Sequence, residues 1–221
     1  MSNTIKVAVL EDHQSIIDGY TMRLREADNV ELVGVASHGE ELEMLLALNP
    51  HLDVLIMDVS VPISAVDHNS IPILHYVSKL LAGRDGLNIL VISMYTQKSL
   101  IKALMGVGAS GYILKQDSIS LRNLAVVVKR IANGGTYFSE EVSQALEEEE
   151  SNLELSNLTA RQLEAISLCA AFPELSTDEL AMKANVAKST FRNLLSETYE
   201  RLSVHSRGAA VVRAKTLGLI S

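Results

Sequence analysis

The chain has 221 residues, a hydrophobic fraction of 48% and a formal net charge of −8. This length and hydrophobic content suffice for one large or two modest packed domains and exclude a wholly disordered chain. The longest apolar runs, such as 54–57 and 124–128, are far shorter than the roughly 20 residues of a membrane-spanning helix, and no signal-peptide pattern is present. We therefore expect a cytoplasmic protein with no membrane partner.

The negative charge is unevenly distributed along the chain. Residues 1–138 carry 11 Lys/Arg and 14 Asp/Glu, residues 139–157 carry none and 7, and residues 158–221 carry 8 and 6. The acidic excess is concentrated in the short central segment, whereas the C-terminal segment has a net charge of +2. The overall charge therefore does not exclude nucleic acid as a partner of the C-terminal segment.

In the first 138 residues, short apolar runs alternate with amphipathic stretches that are long enough for helices. The pattern predicts strands over 6–10, 30–35, 54–57, 89–92 and 111–114. It predicts helices over 14–26, 39–48, 71–81, 97–107 and 121–133. Buried strands separated by helices indicate a parallel sheet covered on both faces, so we predict a doubly wound α/β domain with five strands.

The acidic segment 139–157 breaks this alternation, and we predict that it is a linker. After it, strand signals stop, and the pattern predicts four helices over 160–171, 177–184, 188–202 and 207–217. Two of these helices begin with a capping box, formed by Thr159 with Gln162 and by Ser176 with Glu179. The second domain, 158–221, is therefore predicted to be an all-α four-helix domain.

Polar residues stand at the carboxyl ends of the predicted strands. Glu11 and Asp12 follow the first strand, and Asp58 follows the third. Ser93 and Lys115 follow the fourth and the fifth strand. In an open parallel sheet, ligands bind at this edge. Clustered carboxylates repel one another unless a cation compensates their charge, and oxygen ligands of this type suit Mg²⁺, so we predict a magnesium site.

The same cluster suits phosphoryl transfer. Asp58 is the predicted nucleophile because it follows the most buried run, VLIM. Glu11 and Asp12 would hold the metal, while Ser93 and Lys115 would bind the phosphoryl oxygens. Taken alone, Asp12 or Asp58 is equally well explained as the cap of a helix or turn. Only the combination of residues is specific.

The first domain resembles a two-component receiver domain. The motifs that carry the resemblance are EDH at 11–13, MDVSVP at 57–62, VIS at 91–93 and GASGYILK at 108–115. The resemblance implies that Asp58 accepts a phosphoryl group from a sensor histidine kinase. It also implies a metal site and a set of switch residues that respond to phosphorylation. The metal ligands would be Glu11, Asp12, Asp58 and the main-chain carbonyl of Ser60, and the switch residues Ser93, Tyr112 and Lys115.

The segment SAVDHNS at 64–70 is longer than the usual receiver loop and resembles the capsule-synthesis branch of these regulators. The second domain resembles the helix-turn-helix output domain of LuxR/NarL/FixJ regulators, through LTARQLE at 158–164, STDELA at 176–181 and KSTFRNLL at 188–195. The resemblance makes 188–202 the recognition helix. Its predicted DNA-binding residues are Lys188, Ser189, Arg192 and Asn193.

The second domain differs at two positions from the family that it resembles. Leu194 stands where the family usually has histidine, and Ala187 stands where it usually has serine. These two family residues typically contact the DNA backbone. We therefore expect the two departures to affect the affinity of this domain for DNA phosphates, while the predicted fold is unchanged.

Together, the resemblances imply a response regulator that binds promoter DNA as a homodimer after phosphorylation. Such a protein is not an enzyme, apart from Mg²⁺-dependent autodephosphorylation. One alternative is an adaptor that acts through a heterodimer with another regulator, or independently of phosphorylation. A phosphatase or phosphotransferase acting on free substrates through Asp58 is a weaker alternative, because the chain has no Gly-rich phosphate loop of the P-loop kind.

Overall fold

The computed structural model describes residues 4–147 and 158–220. Its first domain contains one parallel sheet with the strand order β2-β1-β3-β4-β5-β6. The strands are β1 Ile5–Leu10, β2 Val30–Ala36, β3 Val54–Met57, β4 Asn88–Ser93, β5 Gly111–Leu114 and β6 Tyr137–Phe138. The predicted doubly wound parallel sheet is confirmed, with one strand more than expected.

Eleven helices are assigned in the described ranges. Those of the first domain are α1 Gln14–Arg25, α2 Gly39–Leu48, α3 Ile73–Ala82, α4 Lys98–Gly106, α5 Ser118–Arg122, α6 Leu124–Ala132 and α7 Glu140–Glu147. Those of the second domain are α8 Ala160–Ala171, α9 Thr177–Lys183, α10 Lys188–Leu202 and α11 Arg207–Thr216. None of them combines the length and the apolar content that crossing a bilayer requires.

The sheet is covered by helices on both faces. Successive residues of a strand point to opposite faces, so β1 contributes Ala8 and Leu10 to one core and Val7 and Val9 to the other. The first core includes residues of α2, α3 and α4, and the second includes residues of α1 and α6. All four residues of β3 are buried, as expected for a central strand covered on both sides.

The end of the first domain differs from the prediction in two ways. The two-residue strand β6 pairs with β5 and is too short to produce a periodic signal. The helix predicted over 121–133 spans two observed helices, because residues 121 and 122 belong to the short helix α5, and α6 begins at Leu124 after a break at Asn123. The Asp117 side chain caps α5 by accepting hydrogen bonds from the backbone amides of Ile119 and Ser120.

Helix α7 lies within the segment that was predicted to be a linker. Its residue Val142 is buried, and the helix contacts β5 and α4. The packing of the first domain therefore includes α7. The remainder of the predicted linker, 148–157, lies outside the described residues.

The second domain has the four predicted helices. Both capping boxes are present, because Thr159 and Ser176 accept bonds from the backbone amides of Gln162 and Glu179, whose side chains accept bonds in return. Each box satisfies amides that the helical pattern leaves without a partner. The core of this domain forms around Phe191, which is fully buried in α10.

Helix α8 is buried on almost all sides. Every residue from 162 to 169 is buried, although a helix at a domain surface normally exposes one face to water. One part of its surface contacts the other helices of its own domain, and another part packs against α3 and α4. At this contact, Nδ1 of His75 lies 3.2 Å from Oε1 of Glu164. The second domain is therefore docked on the first through α8.

Replacing Gly111 with alanine tests the pairing of β5 with β6. A Cβ atom at this position would lie 2.6 Å from the carbonyl oxygen of Tyr137 and 3.1 Å from a methyl group of Leu90. We expect Gly111→Ala to lower the free energy of unfolding by about 1 to 3 kcal/mol, because the backbone or the core must shift. Urea denaturation measures this change.

The matched control is Gly106→Ala. A Cβ atom there would meet nothing within 4 Å, and the residue lies in helix α4. This substitution is expected to stabilise the protein by about 0.4 to 1 kcal/mol, because alanine restricts the unfolded chain. Equal losses of stability in the two variants would contradict the close approach at Gly111.

Candidate functional site

The polar residues that follow the strands meet at one edge of the sheet. The backbone amide of Asp58 donates a 2.9 Å hydrogen bond to the carbonyl of Leu10, so Asp58 lies beside the end of β1. The amide of Lys115 donates a 2.8 Å bond to the carbonyl of Ser93 in the same way. These bonds continue the strand pairing and bring residues of four strands to one place.

Lys115 is the cation at the centre of this site. Its Nζ lies 2.7 Å from Oε2 of Glu11 and 2.8 Å from Oδ2 of Asp58. Glu11 and Asp58 are buried, with exposed fractions of 1% and 6%. Burial by itself would lower the pKa of Lys115, but hydrogen bonds and charge from the two carboxylates outweigh it and raise that pKa. Lys115 therefore stays charged and offsets the repulsion between the acids.

His13 also takes part in the acidic cluster, although it was not among the predicted site residues. It precedes α1, and its Nδ1 lies 2.7 Å from Oδ1 of Asp12 and 3.1 Å from Oε1 of Glu11. The charge of Asp12, followed by its hydrogen bond, raises the pKa of His13. The adjacency of the three residues in EDH was the only sequence signal for this contact.

The acidic cluster has the donor chemistry of a divalent-metal site. Glu11, Asp12 and His13 offer ligand atoms within 4.8 Å of one another. Asp58 is joined to this group through Lys115, which gives two buried carboxylates only one positive charge. Carboxylate oxygens with uncompensated charge suit Mg²⁺. Ser60, whose carbonyl is the further predicted ligand, is exposed in the loop after β3.

The predicted switch residues Ser93 and Tyr112 meet at Tyr95, which the sequence analysis missed. Both are fully buried. The Tyr112 hydroxyl donates a 2.7 Å hydrogen bond to the carbonyl of Tyr95, and Oγ of Ser93 accepts a 3.2 Å bond from the amide of Tyr95. Burial is the largest cause of the raised pKa of Tyr112, so its hydroxyl stays protonated and remains a donor. Tyr95 lies just before α4, and no sequence motif marks it.

The predicted DNA-binding residues share an exposed surface at the start of α10. Lys188, Ser189, Arg192 and Asn193 are all exposed. In an α-helix, residues four apart lie on the same side, so these four form one polar surface. Nζ of Lys188 forms an ion pair with Asp178 of α9, which offsets part of its charge. No sequence motif marks Asp178 as the partner of Lys188.

Replacing Lys115 with methionine tests its role between the two acids. Removing one member of a buried ion pair typically costs about 3 to 5 kcal/mol, because the remaining charge stays buried without a partner. We expect a loss of this size for Lys115→Met in urea denaturation near neutral pH. Excess Mg²⁺ should restore part of it by supplying another cation.

The matched control is Lys79→Met. Lys79 pairs with Glu43 at 3.2 Å, but their side chains are 62% and 56% exposed. A solvent-exposed pair contributes about 0 to 1 kcal/mol, so this variant should be nearly as stable as the wild type. Similar losses in both variants would show that Lys115 has no special role in stability.

The chain is similar over almost its full length to several bacterial regulators. It is 28% identical over 214 residues to the nitrate/nitrite response regulator protein homolog of Haemophilus influenzae, with 96% of this chain and 97% of that protein covered. It is 27% identical over 216 residues to the transcriptional regulatory protein DesR of Bacillus subtilis, with coverages of 97% and 98%. No family model matches the chain.

Solved structures share the two-domain fold. RcsB from Salmonella enterica serovar Typhimurium, bound to promoter rprA in the presence of phosphomimetic BeF3−, matches with a TM-score of 0.64 at 20% identity, covering 96% of this chain and 99% of that one. The isolated REC domain of RcsB matches with a TM-score of 0.55 at 24% identity, covering 66% of this chain and all of that one. Sequence and fold together support similarity to response regulators of the NarL/LuxR type.

Proposed function

We propose that this protein is a transcriptional response regulator in which phosphorylation of Asp58 controls promoter binding through α10. The observation that carries this proposal is the buried Asp58–Lys115–Glu11 cluster at the ligand-binding edge of the sheet. The exposed polar surface of a helix-turn-helix domain on the same chain supports the second half. Residues 1–138 would be the receiver domain, with α7 packed onto it, and 158–221 the output domain. The comparisons with bacterial transcription regulators support the same conclusion.

The chemistry assigns a role to each residue of the cluster. Glu11 and Asp12, with the main-chain carbonyl of Ser60, would hold Mg²⁺, which when bound neutralises negative charge on a phosphoryl group. A carboxylate oxygen of Asp58 would form a bond to the phosphorus of a phosphohistidine on the sensor histidine kinase, while the phosphorus–nitrogen bond breaks and its electron pair stays on the imidazole that leaves. Lys115 then exchanges its contact with Asp58 for a new phosphoryl oxygen. In this proposal, Mg²⁺-dependent hydrolysis of its own phosphoryl group is the one reaction that the protein catalyses.

Ser93 connects the phosphoryl site to the output domain. A phosphoryl group on Asp58 would attract the Ser93 hydroxyl, which now accepts a hydrogen bond from the amide of Tyr95. Tyr95 precedes α4, and α8 packs against α4. A shift of Tyr95 therefore moves the surface on which the output domain is docked. Tyr112, bonded to the carbonyl of Tyr95, would move with it.

Release of the output domain would allow two copies to bind adjacent DNA half-sites as a homodimer. The exposed donors at the start of α10 suit phosphates and base edges in a major groove. Placement in the capsule-synthesis branch is part of this proposal and is supported by the longer loop at 64–70. We also propose a cytoplasmic location, because the protein would encounter both of its partners, the phosphorylated sensor kinase and promoter DNA, in the cytoplasm.

An adaptor function is the second candidate. The ion pair between Lys188 and Asp178 offsets one of the few cations of the recognition helix, and Ala187 provides no side-chain cap at its start. An output domain with weakened DNA affinity would act by forming a heterodimer with another regulator, or independently of phosphorylation. Gel shifts with and without a candidate regulator separate the two functions.

Asp58→Asn tests the phosphoacceptor. In the presence of Mg²⁺ and acetyl phosphate, the wild type should gain the mass of one phosphoryl group, and the variant should gain none, because an amide oxygen is a poor nucleophile. The wild type should also form dimers in sedimentation with beryllofluoride, and Asp58→Asn should not. Phosphorylation retained in the variant, or unaffected by excess chelator, would contradict the assignment.

Arg192→Ala tests the recognition helix. Sequencing of genomic DNA that co-purifies with the protein identifies the promoter fragments for gel shifts. Loss of one phosphate contact should weaken binding and flatten the dependence of log affinity on log salt concentration by about one unit of slope.

The matched control is Lys183→Ala. Lys183 lies at the end of α9 and its Nζ is 4.1 Å from the centroid of the Phe172 ring. It carries the same charge as Arg192 but lies outside the recognition helix, so its removal should leave the salt dependence nearly unchanged. Equal effects of the two substitutions would refute the placement of the DNA-binding surface on α10.

A further inference from the structure

The C-terminal end of the second domain lies against the start of α4 in the first domain. A Cβ atom at Gly218 would be 2.3 Å from Nε2 and 2.7 Å from Cδ of Gln97, so the amide group of Gln97 lies directly on the backbone of Gly218. Leu219 and Ile220 follow, each 3% exposed, in an apolar cluster that also contains Leu100 of α4. This contact is therefore part of the docking between the two domains.

The carbonyl oxygen of the Gln97 side chain has no partner at this contact. Oε1 of Gln97 is buried, and within residues 4–147 and 158–220 it has no hydrogen-bond partner. The Cβ position at Gly218 is 3.0 Å from Oε1, so the second domain covers this atom. Buried polar atoms in proteins nearly always have a partner, because an amide oxygen that loses its water without a replacement destabilises the arrangement that buries it.

The Gln97 side chain therefore opposes the docked arrangement. Apolar packing favours that arrangement, and so does the hydrogen bond between His75 and Glu164. Release of the second domain would uncover Oε1 of Gln97 and allow water to bind it. The docked state thus contains one unfavourable polar contact that the released state lacks.

Gln97 also stands next to the proposed switch. Tyr95, two residues earlier, accepts a hydrogen bond from Tyr112 through its carbonyl and donates one to Ser93 through its amide. Two residues of extended chain span at most about 7 Å, so a displacement of Tyr95 reaches Gln97 directly. The proposed switch and the docked second domain therefore meet at Gln97.

We propose that Gln97 sets the balance between the docked and the released second domain. Its unpartnered oxygen reduces the free energy that release requires, so a small displacement at Tyr95 suffices. Gln97 is a positioning residue, since it acts through the second domain and takes no part in the chemistry at Asp58. Its effect on docking rests on the contact with Gly218, whereas control of that docking by phosphorylation rests on the proposed function.

Two substitutions of similar shape should shift this balance in opposite directions. Gln97→Met keeps an unbranched side chain but removes its polar amide, so it should favour the docked state about 5- to 150-fold, the effect of no longer burying an unpartnered amide oxygen. Gln97→Glu places a carboxylate at the same position. Because burying an unpaired charge is more unfavourable than burying an amide, this variant should favour release by at least about tenfold.

Small-angle X-ray scattering of the full chain measures the two states, because release increases the radius of gyration. At a concentration at which sedimentation shows monomers, the ligand-free wild type and Gln97→Met should be compact, and Gln97→Glu should have a larger radius. On titration with beryllofluoride and Mg²⁺, the wild type should extend. Gln97→Met should need at least about fivefold more beryllofluoride, because the ligand must overcome a more favourable docked state.

Gln144 supplies the matched control. It is exposed on α7, and its Nε2 donates a 3.3 Å hydrogen bond to Oε1 of Glu140 on the same helix. Gln144→Met and Gln144→Glu make the same chemical changes away from Gly218, so both should scatter like the wild type and respond to the same concentration of beryllofluoride. Thermal unfolding of each variant establishes that it is folded.

The outcomes separate this inference from the proposed function. A Gln97→Glu variant as compact as the wild type, or a Gln97→Met variant that extends at the same or a lower beryllofluoride concentration, would overturn the role of Gln97. A ligand-free wild type with the same radius as Gln97→Glu would overturn it as well, because the domains would not be docked. A wild type that stays compact in beryllofluoride while Gln97→Glu extends without it would overturn control by phosphorylation and leave Gln97 as the residue that sets docking.

Discussion

The proposed phosphoryl site depends on one half-buried ammonium group, that of Lys115. Placing two carboxylates at a nearly dry sheet edge is unfavourable, because both lose hydration and repel each other. Lys115 makes this arrangement possible through contacts of 2.7 and 2.8 Å with Glu11 and Asp58. Because one cation serves two acids, the site keeps a net negative charge and an affinity for a further cation. Any group that reacts with Asp58 must also compete with Asp58 and Glu11 for contact with the ammonium group of Lys115. A reaction at Asp58 is therefore linked to rearrangement of the whole cluster.

Helix α8 connects this site to the output domain. It belongs to the core of the second domain and also packs against α3 and α4, so its burial requires both domains. The hydrogen bond between Nδ1 of His75 and Oε1 of Glu164 adds a directional contact to this interface. Helix α4 follows Tyr95, whose backbone is bonded to Ser93 and Tyr112. A short path of hydrogen bonds and helix packing therefore leads from the strand ends to the output domain.

The exposed surface of α10, the proposed recognition helix, is separate from this interface. Helix α10 contacts the other three helices of its own domain, while α8 makes the main contact with the first domain. The docked arrangement thus leaves Arg192 and Asn193 exposed. If the protein binds DNA through α10 as proposed, control of binding would depend on the freedom of the second domain to reach a second half-site and would not require direct blocking of the helix.

The sequence alone determined the parts of this protein whose signals are local. Strand and helix positions follow from hydrophobic period, both capping boxes from residue spacing, and the meeting of Glu11, Asp58 and Lys115 from their places at the ends of parallel strands. The roles of these residues and of the recognition-helix residues are still predictions. Tertiary structure decided β6, the packing of α7, the contact of His13 and the bonds to Tyr95. It also buries the Tyr20 hydroxyl, which has no hydrogen-bond partner within residues 4–147 and 158–220. Each of these features depends on positions that atoms take only when the chain is packed. Hydrophobic period and motif spacing carry no signal for such contacts.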